Sequence, residues 1–296
     1  MKTRPTATRR EVLTGLAGMT IAGMAGTPMN QSAKAAEQSA GTPKKDGIQQ
    51  SVCQWCFDDV SFEDLAVHAK KIGLVGIDLV GPRDWPTLKK YGLLGTMTPS
   101  HGITKGLNHV ANHEECLAKI RKSIEQNVDA GFKNVICFSG NRDGMDDEEG
   151  LKNCVIALKK IVGFAEKQNI TISMELLNSK RNHADYMCDR THWGVELVKR
   201  VGSPKFGLLY DIYHMQVQEG DVIATIQESH QYITHYHTAG VPGRHEIEEE
   251  QELRYPPIVR AILDTGFRGT MAHEFLPNKR KNKLDSLTEA VTLCEV

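Results

Sequence analysis

Asp129-Ala-Gly-Phe-Lys-Asn-Val-Ile136 reads as a helix end, a glycine stop, a short turn and the first residues of a strand. Lys71-Ile-Gly-Leu-Val-Gly-Ile77 and Asp264-Thr-Gly-Phe-Arg-Gly-Thr270 repeat the pattern. Glycine just past a helix supplies the left-handed conformation that ends it. Gly73, Gly131, Gly202 and Gly266 all stand where helices should stop, and Ser61-Phe-Glu-Asp64 opens the first helix with a capping-box-like pattern. Working outward, short apolar runs alternate with amphipathic stretches from residue 48 to the end. Strands are expected at 48–55, 75–80, 93–98, 134–139, 170–176, 206–211, 232–237 and 270–275. Strands that alternate with helices predict a parallel sheet. Eight of them with no element left over predict closure into an α/β (β/α)8 TIM barrel spanning residues 48–296 as one domain. An open doubly wound sheet is the alternative. No G-x-G-x-x-G follows the first strand, so a dinucleotide-binding version of that sheet has no support.

The 296 residues suffice for one barrel plus an N-terminal extension, since such barrels take about 250 residues. Net charge is −1. The first 35 residues hold five basic side chains and one acid, which leaves the remainder at −5. A mildly acidic body has no footprint for nucleic acid or anionic lipid. Thr8-Arg9-Arg10-Glu11-Val12-Leu13 resembles a twin-arginine export signal. A glycine-bearing apolar stretch follows to Gly26, and Ala33-Lys34-Ala35 offers a small-x-small cleavage site. Residues 1–35 are therefore expected to be a signal peptide, 36–47 a linker, and the mature protein periplasmic or otherwise extracytoplasmic. The apolar run of about 15 residues is short of the ~20 a bilayer span needs, so no stable span is expected. Seven scattered cysteines form no pair of zinc-type units. Cys53-Gln-Trp-Cys56 is a lone C-x-x-C, a weak redox candidate; the cysteines read mostly as small core residues.

Four strand ends carry the chemistry. Glu175 ends the run in ITISMELLN, Asp211 in FGLLYDIYH, His237 in YITHYHTAG and Glu274 in GTMAHEFLP. They are spaced by 36, 26 and 37 residues, each about one strand-plus-helix unit. A barrel brings the C-terminal ends of its strands to one rim. One strand-end acid is as readily a structural ion pair, because a buried unpaired charge is costly. Four donors at consecutive strand ends point to a shared divalent metal. Three carboxylates and an imidazole suit Mn²⁺, Mg²⁺ or Co²⁺ best, with Zn²⁺ or Fe²⁺ also compatible.

Glu175, the Asp211-Ile-Tyr-His214 unit, His237 with Val241-Pro-Gly-Arg-His-Glu246, and Glu274 resemble the xylose isomerase-like TIM barrel superfamily. Within it, residues 48–296 are most similar to the hydroxypyruvate isomerases and the ketose 3-epimerases. The resemblance implies metal ligation by Glu175, Asp211, His237 and Glu274, proton transfer by Glu175 and Glu274, and substrate contacts from His214 and Arg244. It also implies a small hydroxy-carbonyl substrate, reaction through an enediolate, and a homo-oligomer. Hydroxypyruvate isomerases often carry Gln where this chain has His237, whereas the epimerases carry His. Hydroxypyruvate to tartronate semialdehyde is the leading reaction; 3-epimerisation, an inosose-type dehydration and non-catalytic sugar binding are the alternatives. Arg244 is expected to fork a substrate carboxylate, although Glu246–Glu250 offer it other partners. His101, after the third strand, is a further candidate substrate contact on the same rim. Asn178, Lys180 and His183 lie in the loop after Glu175 and are candidates to close over a ligand. Strand alternation puts His235 on the same side as His237 and His273 opposite Glu274; both are left unassigned, because imidazoles inside a barrel are more often hydrogen-bonded core residues.

Overall fold

The computed structural model describes residues 47–278 and 282–296. The expected signal peptide and nearly all of the linker lie outside them. Among the described residues, no helix is long and apolar enough to cross a membrane.

Eight parallel strands form a nearly closed barrel: β1 (Gln49–Cys53), β2 (Gly76–Asp78), β3 (Leu94–Met97), β4 (Asn134–Cys137), β5 (Thr171–Leu176), β6 (Phe206–Asp211), β7 (Ile233–Thr238) and β8 (Thr270–His273). Their order is β3-β2-β1-β8-β7-β6-β5-β4. Between β3 and β4 the ring closes through one bridge, Thr98 to Val135. Around that seam, Asn134 Nδ2 donates to Thr96 O at 2.9 Å and Asn127 Nδ2 to Asn134 O at 2.9 Å. Side-chain amides thus supply part of what a strand ladder would. The expected (β/α)8 TIM barrel is the observed fold, and the open-sheet alternative is set aside.

The outer layer comprises α1 (Phe62–Lys71), α2 (Trp85–Lys90), α3 (His113–Ala130), α4 (Asp147–Lys159), α5 (Val162–Gln168), α6 (Thr191–Val201), α7 (Ile212–Gln218), α8 (Val222–Ser229), α9 (Tyr255–Asp264) and α10 (Lys283–Leu293). Ser61 caps α1 by accepting from Asp64 N at 3.0 Å, with Glu63 and Asp64 in the first turn. Gly131 and Gly202 end α3 and α6 at φ +82° and +68°, where any Cβ would be strained.

Five strands, β1 to β4 and β8, end one or two residues earlier than their apolar runs suggested, and β1 and β2 show why. β1 gives way to a 3₁₀ turn over Gln54–Phe57. β2 stops at Asp78 because Leu79 takes φ +57° and its N–H turns to Met97 O at 2.9 Å. The C-x-x-C reading is corrected by burial: Cys53 and Cys56 are buried free thiols. Desolvation pushes both thiols well up, away from reactive thiolate character.

Candidate active site

Register places the four strand-end residues. Asp211 on β6 pairs directly with His237 on β7. Glu175 on β5 sits opposite Leu209 of β6. Glu274 follows β8, and its N–H donates to Thr238 O at 2.9 Å. One donor atom from each of the four lies within 4.8 Å of every other. All are buried, at 5, 0, 0 and 3% exposure for Glu175, Asp211, His237 and Glu274. Three acids so close and so dry need a cation.

Two features bear on what the cluster could hold. His237 Nδ1 lies 3.2 Å from Glu175 Oε1 and 2.8 Å from Glu274 Oε2, yet it has no hydrogen-bond partner of acceptable geometry. The other ring nitrogen, Nε2, donates to Asp78 Oδ2 at 3.0 Å. Burial would lower the His237 pKa, but Cys53 and Glu274 raise it well above its ordinary value; with hydrogen held on Nε2, a cation that displaces the Nδ1 proton meets a lone pair there. That lone pair and three carboxylates form a donor set that fits a divalent cation.

The second feature is Arg244. Its Nη2 donates to Glu274 Oε2 at 2.5 Å and to Asp211 Oδ2 at 3.3 Å, and its Nε donates to Glu274 O at 3.2 Å. The guanidinium lies 5.2 Å from the Trp55 ring and 5.4 Å from the Tyr213 ring, within cation–π range. Arg244 holds φ +62°. Its N–H donates to Gly240 O at 2.9 Å and its carbonyl accepts from Leu276 N at 2.6 Å, which pins that conformation. The expected carboxylate fork is therefore corrected. Nε and Nη2 already serve Glu274 and Asp211, and Nη1 is the part left for a ligand.

Burial pushes Asp211 up to about 7 against the pull of Arg244. It also raises Glu175, despite the opposing contact with His237. For Glu274, burial is outweighed by His237 and Arg244, and its carboxyl is held well below the usual range. The buried Asp78 would likewise be raised by desolvation, but His235 and then His237 pull it well down, so it is a carboxylate.

His214 reaches the site from the first turn of α7. Asp211 caps that helix, accepting from His214 N at 3.0 Å, so the Asp-x-x-His spacing ties the two together. Asn178 N and Nδ2 approach His214 Nδ1 at 3.2 and 2.6 Å. Nδ1 is thus the acceptor and Nε2 carries the hydrogen. That Nε2 has no hydrogen-bond partner and lies 3.7 Å from Asp211 Oδ2. Burial, then Arg244, hold His214 well below its ordinary value, so it is neutral.

The remaining candidates divide. His183 is half-buried with its ring 5.1 Å from that of His214. Lys180 turns aside, with Nζ on Gln218 O at 2.7 Å. His101 does not fit the expected substrate contact: Nδ1 faces Gly102 O at 3.1 Å and Nε2 accepts from Phe138 N at 3.4 Å, which leaves no free polar atom. His273 is a satisfied core residue between Thr238 Oγ1 and Gln50 Oε1.

Two residues at the site escaped sequence reasoning. Trp55, in the turn after β1, donates from Nε1 to Glu274 Oε1 at 2.7 Å. Asp78, ending β2, holds His237 and His235. Its signal was the one that exposed the others, a lone acid in an apolar run.

The family model described as a xylose isomerase-like TIM barrel matches residues 87–291. The 2-oxo-tetronate isomerase of Cupriavidus necator is 33% identical over 113 residues, 38% of this chain and 43% of that protein. The chain thus spans about two-fifths of the length of that relative. The hydroxypyruvate isomerase of Escherichia coli is 26% identical over 237 residues, 75% of this chain and 90% of that one. Among solved structures, the D-allulose 3-epimerase from Methylomonas sp. in complex with D-allulose superposes with a TM-score of 0.69 at 16% identity, covering 85% of this chain and 97% of that chain. The last is a likeness of fold.

Proposed function

Because the chain belongs to the xylose isomerase-like TIM barrel family, we propose that it is a metal-dependent isomerase of small hydroxy-carbonyl compounds, with hydroxypyruvate to tartronate semialdehyde as the leading reaction. One observation carries this reading: Glu175 Oε1 and Glu274 Oε2, from β5 and the end of β8, meet at His237 Nδ1 at 3.2 and 2.8 Å. Binding alone needs no such pair of acids; moving a proton does. Glu175, Asp211, His237 and Glu274 would hold the divalent cation, Mn²⁺, Mg²⁺ or Co²⁺ in the first instance. When bound it supplies Lewis-acid stabilisation of charge growing on the carbonyl oxygen.

The chain's own groups do the rest. One glutamate takes a proton from the hydroxymethyl carbon, giving an enediolate. A proton returns to the neighbouring carbon, and the hydroxyl proton passes to the former carbonyl oxygen. The neutral His214 offers Nε2–H to a substrate oxygen, and Arg244 offers Nη1. Trp55 and Tyr213 both lie within cation–π range of the guanidinium.

A second reading, ketose 3-epimerisation, draws support from Arg244. With Nε and Nη2 engaged, the paired donors suited to a substrate carboxylate are not all free. A neutral ketose needs only single donors. His237, where hydroxypyruvate isomerases often carry Gln, leans the same way.

Proton NMR in D2O with Mn²⁺-loaded protein tests both. Hydroxypyruvate should yield tartronate semialdehyde deuterated at the newly protonated carbon. Epimerisation should instead place deuterium at C3 of a ketose such as D-fructose. Loss of a hydroxyl would mean a dehydratase. No exchange or product with either substrate class in metal-loaded protein would refute the isomerase reading. Export by a twin-arginine route belongs to the same proposal and rests on Arg9-Arg10, the apolar stretch and Ala33-Lys34-Ala35.

A further inference from the structure

We propose that Asp78 is a positioning residue that keeps hydrogen on Nε2 of His237, so that Nδ1 is the nitrogen left to face Glu175 and Glu274. This inference rests on the metal-site reading above and concerns a residue that touches none of the reacting atoms.

The argument is one of hydrogen-bond capacity. Asp78 is fully buried at the end of β2. An ionised carboxylate accepts at about four lone-pair sites and donates nothing. All four are taken. Oδ1 accepts from Ser51 Oγ on β1 at 3.1 Å and from Thr96 Oγ1 on β3. Oδ2 accepts from Nε2 of His235 at 2.8 Å and from Nε2 of His237 at 3.0 Å. Because this oxygen can only accept, both imidazoles must carry their hydrogen on Nε2. In a neutral ring that strips Nδ1 of its hydrogen. His237 Nδ1 then points a lone pair at the place where two glutamate oxygens meet, and it has no partner there. The opposite tautomer would turn a lone pair against the Asp78 carboxylate, which can only accept, and would put an N–H where a cation needs a lone pair.

His235 shows that the two histidines differ in role. Its ring packs edge-on to His237, with centroids 5.3 Å apart. It shares Asp78 Oδ2, and its own Nδ1 is buried without a partner. Yet no acid gathers at that nitrogen among the metal-like clusters of the described residues. His235 occupies the other lone pair of Oδ2, which leaves a single direction for His237. Carboxylate partners of metal-bound histidines work this way in general, and their loss weakens metal affinity about 10–100-fold.

The first test needs no variant. In metal-free protein labelled with ¹⁵N-histidine, the His237 ring signals should always report hydrogen on Nε2, whether or not Nδ1 also carries one between the two glutamates. A His237 ring with Nε2 bare and hydrogen on Nδ1 alone overturns the proposal. The second test is Asp78→Asn, which keeps the shape and one acceptor but adds an N–H₂. The expected result is a mixed His237 tautomer and a Mn²⁺ affinity, followed by electron paramagnetic resonance, lower by about 10–100-fold, with turnover at saturating Mn²⁺ within a fewfold of the parent. His235→Gln perturbs the same network without removing the His237 acceptor and should change Mn²⁺ affinity less than threefold. Unchanged affinity in a folded Asp78→Asn protein overturns the proposal, and so does equal loss in both variants, which would mark a merely structural network. If Asp78→Asn does not fold, the parent ring signals and His235→Gln still decide. A parent that binds no Mn²⁺ defeats the metal-site reading instead, and the metal-free ring signals tell the two failures apart.

Discussion

Arg244→Met isolates the charge that holds the cluster together. Methionine retains most of the stem and, like arginine, is not glycine, so the cost of φ +62° at this position cancels in the comparison. The guanidinium is lost. With it go the Nη2 bonds to Glu274 at 2.5 Å and Asp211 at 3.3 Å, the Nε bond to Glu274 O, and the stacking against Trp55 and Tyr213. The side chain is 11% exposed and its partners 1 and 4%, so solvent screens little of this. Breaking such a buried pair by removing one member costs about 3–5 kcal/mol. Methionine's fit between the two rings returns part of the cation–π loss of about 0.5–2 kcal/mol. A net loss of about 3–4 kcal/mol is expected in metal-free protein, read by urea unfolding in chelator, and it corresponds to a fall in Tm of about 6–16 °C. With saturating Mn²⁺ the loss should shrink by at least half, since the ion supplies positive charge to the same carboxylates. The reasoning fails if the metal-free loss is below about 1 kcal/mol, the value of an ordinary surface pair, or if Mn²⁺ leaves the difference unchanged.

His113 is buried, with Nε2 on Leu107 O at 2.9 Å and Nδ1 without a partner. Burial lowers its pKa below the usual 6.5, so the unfolded chain binds the extra proton first. Its contribution to stability is present above about pH 6.5 and is lost as pH falls toward the folded value. His113→Gln keeps the donor and should flatten the loss of stability as pH falls below 6.5; parallel urea titrations with equal slopes would count against this. Gly106→Ala would set a Cβ 2.2 Å from Gly140 N and 2.4 Å from Ser139 O. Backbone must move on both sides, so a loss of about 3 kcal/mol or more is expected by thermal melt; an unchanged Tm would show the loop to be slack. Replacing Arg9 and Arg10 together by lysine should keep the protein in the cytoplasm, and normal export of that variant on fractionation would remove the twin-arginine reading.

The barrel was legible because helix stops and strand starts recur in the sequence at Gly131 and Gly266 much as at Gly73. Glu175, Asp211, His237 and Glu274 were legible because a charge at the end of an apolar strand is conspicuous, and strand order alone brings four such ends together. Other features depend on partners far along the chain. Asp78 takes its meaning from Thr96 and His237, 18 and 159 residues away, so its three-residue strand says little alone. His101 was placed on the rim by its loop, but spacing does not reveal that Phe138 N occupies its second nitrogen. For Arg244, sequence located the side chain and not which edge of it was already committed. Trp55 was hidden between two cysteines whose spacing suggested another chemistry.

The junction of the third and fourth strands, joined by a single bridge and braced by asparagine amides, lies across the ring from the residues that gather around His237. The four strands from β5 through β8 are paired by continuous neighbours, with one register shift at Leu208/Leu209. Breathing of the wall should therefore begin at the asparagine-braced junction and leave the β5–β8 half paired. Native-state hydrogen exchange would see the amides of Thr98 and Ile136 trade with solvent long before those of Leu209 or Tyr236, so the molecule can flex without parting the four strand-end side chains.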